Sequence, residues 1–118
     1  MGKKSRTKGC RGELEWRDIL NKKFGTNYQR TPLSGGLDIK GDVRRAYGSK
    51  NSRIDDFSWE VKRQEKLNIY KALEQSSRDS RSLTPVVAHR RNQDRWMITM
   101  DADDFLNILK ELEDLSVL

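Results

Sequence analysis

The segment "DFSWEVK", residues 56–62, decides how this chain is interpreted, because it combines a strand-like alternation with a paired acid and base. Its period of two predicts a β-strand with Phe57, Trp59 and Val61 on one face and Ser58, Glu60 and Lys62 on the other. Strand geometry places Glu60 and Lys62 about 6.6–6.8 Å apart along that face. Such a pair is either a solvated surface pair or part of a reactive site, and the surrounding sequence bears on the choice.

The periodicities around this strand predict an α/β domain with a mixed central sheet of about five strands, flanked by helices, in the order αβββαββα. The predicted helices cover residues 12–24 and about 66–80, and a last one starts at "DADDF", residues 101–105. The other predicted strands are a short one in "TNYQR", then residues 37–43, 83–90 and 95–100.

Apolar spacing within the helices predicts which sides pack on the sheet. The expected stripes are Trp16, Ile19, Leu20 and Phe24 in the first helix, Ile69, Ala72, Leu73 and Ser76 in the second, and Phe105, Ile108, Leu109 and Leu112 in the last. Glu13 falls within about 45° of the first stripe, so we expect it to point inward. Trp59 and Trp96 alternate into strands, and we predict that both belong to the core.

The chain has 118 residues, which predicts one domain, residues 12–118, behind a basic flexible tail, residues 1–11. Its net charge of +6 favours a polyanionic partner. A single Cys10 and a single His89 exclude an internal disulfide and the usual zinc sites, so we expect a cytoplasmic protein. No apolar run approaches the roughly 20 residues of a membrane span, and we expect no membrane partner.

Three acids are predicted to converge near Lys62. Asp42 alternates on the strand before the "EVK" strand, Glu60 lies on that strand, and Glu13 turns inward from the first helix. Three carboxylates in a partly desolvated site would repel one another strongly. A divalent cation with oxygen ligands, such as Mg²⁺, removes that objection and can activate water toward a phosphodiester. Lys62 could orient that water or offset charge on phosphorus.

This set of residues resembles the PD-(D/E)xK nuclease signature. "GDV", residues 41–43, followed by "EVK", residues 60–62, looks like its core motif. "KGCRGELEWRDIL", residues 8–20, is similar to the first helix of archaeal and phage Holliday junction resolvases in that superfamily. "RTPLSGG", residues 30–36, and the glutamine of "ALEQSS" are similar to two further segments of those enzymes. The likeness covers residues 8 to about 112.

The resemblance implies a restriction-endonuclease-like core and a Mg²⁺-dependent DNA endonuclease, with Mn²⁺ as a substitute ion. It implies metal ligation by Glu13, Asp42, Glu60 and the backbone carbonyl of Val61. Lys62 would be the catalytic lysine and Gln75 a supporting residue. Gly41 stands where the motif has proline, which leaves Asp38 as a rival to Asp42 for the strand ligand.

Basic residues outside this motif are expected to grip the DNA backbone without reading sequence. We expect the connection after the second strand to carry a basic cluster that projects from the catalytic edge. The predicted DNA contacts are Lys3, Lys4, Arg6, Lys8, Arg11, Arg30, Ser34, Arg44, Arg45, Lys50, Arg53 and Arg63.

The predicted function is that of a structure-selective endonuclease, a Holliday junction resolvase that hydrolyses phosphodiesters with metal-activated water. A four-way junction has two-fold symmetry, so paired cuts by a one-site chain imply a C2 homodimer. The alternatives are another PD-(D/E)xK DNA nuclease, of nicking, repair or restriction type, and a non-catalytic basic nucleic-acid-binding protein.

Each residue also has a simpler interpretation. Glu13 could be an acid stabilised by the dipole of its helix, Gln75 a helix-surface residue and Ser34 a turn residue. A lone strand histidine such as His89 is usually structural, and Cys10 has no evident partner base.

Overall fold

The computed structural model describes residues 2–31, 41–49 and 51–116, and the side chains within these ranges from residue 10 onward. The chain forms α1 (Gly2–Phe24), β1 (Tyr28–Arg30), β2 (Val43–Arg45), β3 (Phe57–Arg63), α2 (Ile69–Asp79), β4 (Thr84–Arg90), β5 (Met97–Met100) and α3 (Ala102–Leu115). A short 3₁₀ helix, Arg53–Asp56, precedes β3. This α/β order with a mixed five-stranded sheet confirms the predicted fold class. None of the helices in the described ranges is long and apolar enough to span a membrane.

The sheet has the spatial order β1-β2-β3-β4-β5, with β3 at its centre. Strands β3 and β4 are parallel, which requires the crossover that α2 supplies, and the other neighbouring strands are antiparallel. β3 is buried on both faces from Ser58 to Val61, and β4 is buried from Val86 to Ala88. The prediction that β4 is covered on both sides is confirmed.

α1 packs on the face of β3 that carries Trp59 and Val61. The Trp16 and Trp59 rings lie 5.6 Å apart, and Trp96 lies 5.2 Å from Trp16 on the other side. Trp59 is buried and Trp96 is partly buried against the same cluster, so both belong to the core as predicted.

The predicted stripe of α1 was partly wrong, because Ile19 and Phe24 are 40% and 50% exposed. The buried side runs instead through Gly12, Trp16 and Leu20, at a strict spacing of four. Gly12 explains the rotation, because a Cβ there would lie 3.0 Å from the Cβ of Arg63. α1 therefore packs closely against β3 at Gly12, where a larger residue would not fit.

α1 begins at Gly2, whereas the first helix was predicted to begin at residue 12. Lys and Arg are good helix formers, and residues 2–11 contain no proline. A helix whose later turns are held by packing extends easily through such residues, because adding a residue costs far less than nucleation. The predicted end is confirmed: Gly25 adopts a φ of +65° and its N–H bonds to the Asn21 carbonyl at 2.9 Å.

The second strand was predicted at residues 37–43, whereas β2 covers Val43–Arg45. Residues 37–40 lie outside the described residues. Gly41 has a φ of +82°, and a Cβ on it would lie 2.8 Å from the backbone nitrogen of Trp59. Proline fixes φ near −65°, which accounts for glycine at this position of the motif.

The second helix packs as predicted, while the last does not. In α2, Ala72 and Ser76 are buried, and the helix covers the face of the sheet that bears His89 and Met97. In α3, where every residue is described, none is buried. The predicted stripe of α3 was therefore wrong as a core contact: Ile108 is half-buried, whereas the other three members, Phe105, Leu109 and Leu112, are 50%, 44% and 58% exposed.

Candidate active site

The pairing of β2 with β3 ends at the candidate site. Val43 pairs with Trp59, and the N–H of Asp42 donates to the Trp59 carbonyl at 2.6 Å. The next N–H of β3 along this edge is met by the side chain of Asp42. Its Oδ2 accepts a hydrogen bond from the N–H of Val61 at 2.8 Å. The side chain of Asp42 is thereby fixed against the strand that carries the "EVK" residues.

Glu60 and Lys62 lie on the same face of β3, as predicted. Glu60 Oε2 is 3.6 Å from Lys62 Nζ, and the Glu60 side chain is 10% exposed. A carboxylate this deeply buried does not fit the alternative of a solvated surface pair. Burial of an ion is costly unless another group compensates for it, and Lys62 supplies part of that compensation.

The carboxyl groups of Asp42 and Glu60 lie close enough to interact directly. Burial, followed by the negative charge of Glu60, raises the pKa of Asp42 to about 7. Two like charges this close cannot both ionise cheaply. At neutral pH the pair is therefore poised between sharing a proton and accepting a cation.

Glu13 turns inward from α1, which confirms the predicted orientation. Its Oε1 accepts a hydrogen bond from Arg30 Nε at 2.6 Å, and its side chain is 18% exposed. Burial raises the pKa of Glu13, and the Arg30 hydrogen bond opposes that shift. Arg30 lies at the end of β1 and supplies the positive partner that an inward acid requires.

One cavity of about 720 Å³ brings the predicted site residues together. It is lined by Glu13, Asp42, Glu60, Val61, Lys62 and Gln75. Within the described ranges, no three His, Cys, Asp or Glu side chains are close enough together to form a ready metal cluster. The immediate pair is Asp42 with Glu60, while Glu13 is directed to Arg30.

The donor set of this cavity suits a hard divalent cation. Asp42, Glu60 and the backbone carbonyl of Val61 offer oxygen atoms alone. Mg²⁺ is usually held by one or two carboxylates and keeps several waters. The crowding that raises the pKa of Asp42 is the penalty that a bound cation would relieve. The residues present therefore fit a magnesium ion, with Asp42 and Glu60 as its anionic ligands.

Several predicted DNA contacts lie elsewhere or already have acidic partners. The connection after β2 lies at the start of β3, opposite the Lys62 end, so the prediction that it projects from the catalytic edge was wrong. The reason is register, because β2 leaves the cavity immediately after Asp42. Arg45 pairs with Asp55 at 3.2 Å, and Arg53 with Glu111 at 3.1 Å.

The remaining predicted contacts divide into two groups. Arg11 is exposed on α1, and Arg44 is half-buried in β2, where its Nη1 donates to the Arg45 carbonyl. The side chains of Lys3, Lys4, Arg6 and Lys8, and residues Ser34, Asp38 and Lys50, lie outside the described residues.

Sequence reasoning missed a half-buried charge cluster beside the cavity. The Glu15 carboxylate lies 3.0 Å from Arg63 Nη1 and 3.3 Å from Arg90 Nη2. The parallel register places Arg63 opposite Arg90 at the ends of β3 and β4, which creates the need for an acid between them. The two arginines were visible in the sequence, but their adjacency depends on a pairing between strands that the sequence alone does not give. Arg63 is thus held by Glu15.

The contacts of His89 are those of a structural residue. Its Nε2 lies 2.9 Å from Thr99 Oγ1 across the β4–β5 pair, and burial lowers its pKa. It lines a separate cavity beside α2. This placement agrees with the expectation that a lone strand histidine is structural.

Comparison with known proteins decides the family. A family model described as "Phage putative PDDEXK endonuclease" matches residues 4–117. The chain belongs to this family. Its fold and its superfamily are therefore those predicted from the "GDV" and "EVK" segments, and its activity class is that of a nuclease, whose substrate is nucleic acid.

One curated relative is "Protein D14" of Escherichia phage T5. It is 29% identical over 122 aligned residues, which cover 88% of this chain and 75% of the relative. No solved structure matches the chain.

Proposed function

We propose that this PDDEXK nuclease is a Mg²⁺-dependent, structure-selective DNA endonuclease, and that its preferred substrate is a four-way junction. We further propose that it acts as a homodimer in the cytoplasm of a phage-infected cell. The observation that carries the proposal is the close pair of half-buried Asp42 and buried Glu60, with Lys62 Nζ 3.6 Å from Glu60 in the same cavity.

In this proposal Asp42, Glu60 and the Val61 carbonyl hold the ion. A bound Mg²⁺ polarises a phosphodiester and lowers the pKa of water. The chain's own contribution is to fix these ligands before the substrate arrives. The Val61 N–H locks the Asp42 carboxylate, and β3 carries Glu60 and Val61 on a strand buried on both faces. Rigid placement of this kind reduces the reorganisation needed in the transition state.

Lys62 would act on the reacting phosphate. Its amine is half-buried and close to Glu60, so it is held at the mouth of the cavity. From there it can orient an attacking water or stabilise charge that develops on the phosphoryl oxygens. Gln75 of α2 lines the same cavity and could hydrogen-bond a water or a phosphate oxygen.

Glu13 and Arg30 form a second ionic pair at the rim of this cavity. To serve as a metal ligand, Glu13 would have to give up its hydrogen bond with Arg30, whose Nε lies 2.6 Å from Glu13 Oε1. Arg30 would then be free to meet a DNA phosphate. Both predicted roles, Glu13 as ligand and Arg30 as DNA contact, are compatible with this exchange.

If the substrate is a four-way junction, a chain with one candidate site must pair with a copy to cut the two symmetric strands. A second candidate, a nuclease that nicks linear or flapped duplex, is favoured by the ion pairs of Arg45 and Arg53. Both arginines are engaged by acids at the far end of β3, so they add little to a track across a large junction.

The test compares cleavage of a synthetic four-way junction, a flap and a linear duplex of the same sequence, with Mg²⁺ and with EDTA. Wild type should cut the junction fastest and should require Mg²⁺. Lys62→Met should reduce the cleavage rate by at least about a hundredfold. Lys71→Met, which removes the same charge from an exposed position on α2, is the matched control and should cut normally.

Three outcomes count against parts of this proposal. Equal rates on all three substrates would exclude junction selectivity and support the nicking nuclease. Cleavage in EDTA would exclude the metal. DNA binding without any cleavage, unchanged by Lys62→Met, would support a non-catalytic binding protein.

A further inference from the structure

One side of α3 is apolar and uncovered. Its residues 105, 106, 109, 112 and 115 lie within about 180° around the helix axis. Together with one residue of the adjacent strand they form what we call the α3 face: Ile98, Phe105, Leu106, Leu109, Leu112 and Leu115. These side chains are between 44% and 73% exposed.

The α3 face is large for a monomer. With about 200 Å² for each fully exposed large side chain, it presents roughly 600 Å² of apolar surface. Apolar patches on monomers reach about 300–600 Å², so this one lies at the upper limit. A standard interface buries about 800 Å² per partner, a little over half of it apolar. The α3 face therefore supplies the apolar area that one side of a stable dimer needs.

The helix also stands away from its own sheet. A cavity of about 600 Å³ separates α3 from β3, β4 and β5, and it is lined mainly by apolar side chains, among them Phe57, Trp59, Ile98 and Phe105. Next to α3, strand β5 pairs with β4 alone, so its other edge is open within the described part of the sheet. An apolar helix beside an open sheet edge is a surface that natural proteins usually cover.

The negative charge of α3 argues against a polyanionic partner on the α3 face. α3 carries five acids and one lysine in a chain whose net charge is +6. DNA or an anionic lipid surface would be repelled by Asp103, Asp104, Glu111, Glu113 and Asp114. The occupant must therefore present apolar surface of similar area. The α3 face of a second copy does so, and because that copy carries the same five acids, it is favoured by the matching apolar area and not by charge.

We propose that the α3 face is the homodimer interface of this protein. Two copies related by a two-fold axis would place the same residues opposite one another, which is how an isologous interface forms. This inference rests on the proposed function for its biological purpose, because a symmetric junction requires two active sites. The evidence for the surface itself is the uncovered helix, its apolar area and the open edge. The catalytic cavity is lined by none of these residues, so it stays open in such a dimer.

The experiment measures the mass of the full chain by sedimentation equilibrium between about 1 and 100 μM, the range over which transient and stable dimers separate. The buffer contains a reducing agent, because a disulfide through Cys10 could mimic association. Wild type should have twice the 13.8 kDa chain mass. Leu106→Glu should raise the dimer dissociation constant by at least about a hundredfold, since each copy would bury an unpaired carboxylate.

Two further variants separate association from misfolding. Leu106→Ala keeps a strong helix former in place and should weaken the dimer by about tenfold. Tyr70→Glu places the same charge at an 85% exposed position on α2 and should leave the dimer unchanged. Circular dichroism checks that each variant is folded.

A monomeric wild type at 100 μM would overturn the inference. So would a dimer that survives Leu106→Glu, or one that Tyr70→Glu weakens equally. Cleavage assays on the same samples test the proposed function separately. If only the interface is wrong, wild type still cuts DNA; if only the nuclease assignment is wrong, wild type is a dimer that does not cut.

Discussion

Asp42→Asn should stabilise the metal-free protein while it removes activity. The pKa of Asp42 rises from its ordinary value of 3.8 to about 7 in the folded chain. The folded state therefore prefers a neutral group at this position. Asparagine is neutral at every pH, its oxygen can accept the Val61 N–H, and its amide can donate to the Glu60 carboxylate. The substitution thus retains the local bonds and removes the charge repulsion.

The magnitude follows from linkage. Because the folded pKa is raised, the stabilising contribution of Asp42 is complete below about pH 4 and is lost as the pH rises to 7. Each pKa unit corresponds to about 1.4 kcal/mol, so the loss at pH 8 is at most about 4 kcal/mol. Partial solvent access reduces it, and we expect the variant to be more stable by about 1–3 kcal/mol at pH 8. At pH 4.5 the gain should fall below about 1 kcal/mol.

Urea unfolding in EDTA, at pH 4.5, 6 and 8, measures this difference in the free energy of unfolding. Asp18→Asn changes the same group at a position that is 66% exposed, and should alter stability by less than about 0.5 kcal/mol at each pH. In the cleavage assay with Mg²⁺, wild type should be active and the Asp42→Asn variant inactive. A variant no more stable than wild type at pH 8, or a gain that does not depend on pH, would refute the reasoning.

Three other perturbations have expected outcomes. Arg30→Met leaves the half-buried Glu13 carboxylate without its partner and should lower the free energy of unfolding of the metal-free protein by about 1–3 kcal/mol at pH 8. The loss should become smaller as the pH falls, because burial raises the pKa of Glu13 and a protonated acid needs no cationic partner; an equal loss at pH 8 and pH 5 in urea titrations would contradict this. Gly41→Ala should lower the free energy of unfolding by at least about 2 kcal/mol more than Gly48→Ala does. Both residues have a positive φ, but only at Gly41 would the new Cβ lie 2.8 Å from the backbone nitrogen of Trp59. Similar melting temperatures for the two variants would show that the backbone relaxes to accept this Cβ. Mg²⁺ at a hundred times its dissociation constant should raise the free energy of unfolding of wild type by about 2.7 kcal/mol, which thermal unfolding measures. Glu60→Gln should abolish this stabilisation; if the variant is still stabilised by Mg²⁺, the ion binds elsewhere.

The local patterns were sufficient to predict most of the secondary structure. β3 and β4 follow from alternation and from an apolar run, and Gly25 ends α1 because it accepts a positive φ. The start of α1 was missed, because the residues before Gly12 carry no apolar periodicity, and helix extension through lysine and arginine leaves no such signal.

The site was predictable where one strand carries it and less so where elements meet. Glu60 and Lys62 share a face by strand geometry alone. The contact between Asp42 and Glu60 depends on the place where β2 pairing stops, which Gly41 sets by its close approach to Trp59. That approach is a property of the folded backbone, and the sequence shows it only as a glycine.

Charge partners were the hardest to predict. The bond between Arg30 and Glu13 joins residues 17 apart on different elements, and no spacing rule selects Arg30 over other arginines. The prediction that the apolar stripe of α3 packs in the core failed for a different reason. Its periodicity was correctly identified, but an apolar helical face shows that a surface must be covered, and does not show by which chain.

The most direct test of the account is the position of a divalent ion in crystals of the full chain grown with Mn²⁺, located by its anomalous scattering. The account predicts an ion bound directly by carboxylate oxygens of both Asp42 and Glu60. A cavity that stays without an ion at millimolar Mn²⁺, or an ion bound away from this pair, would contradict it.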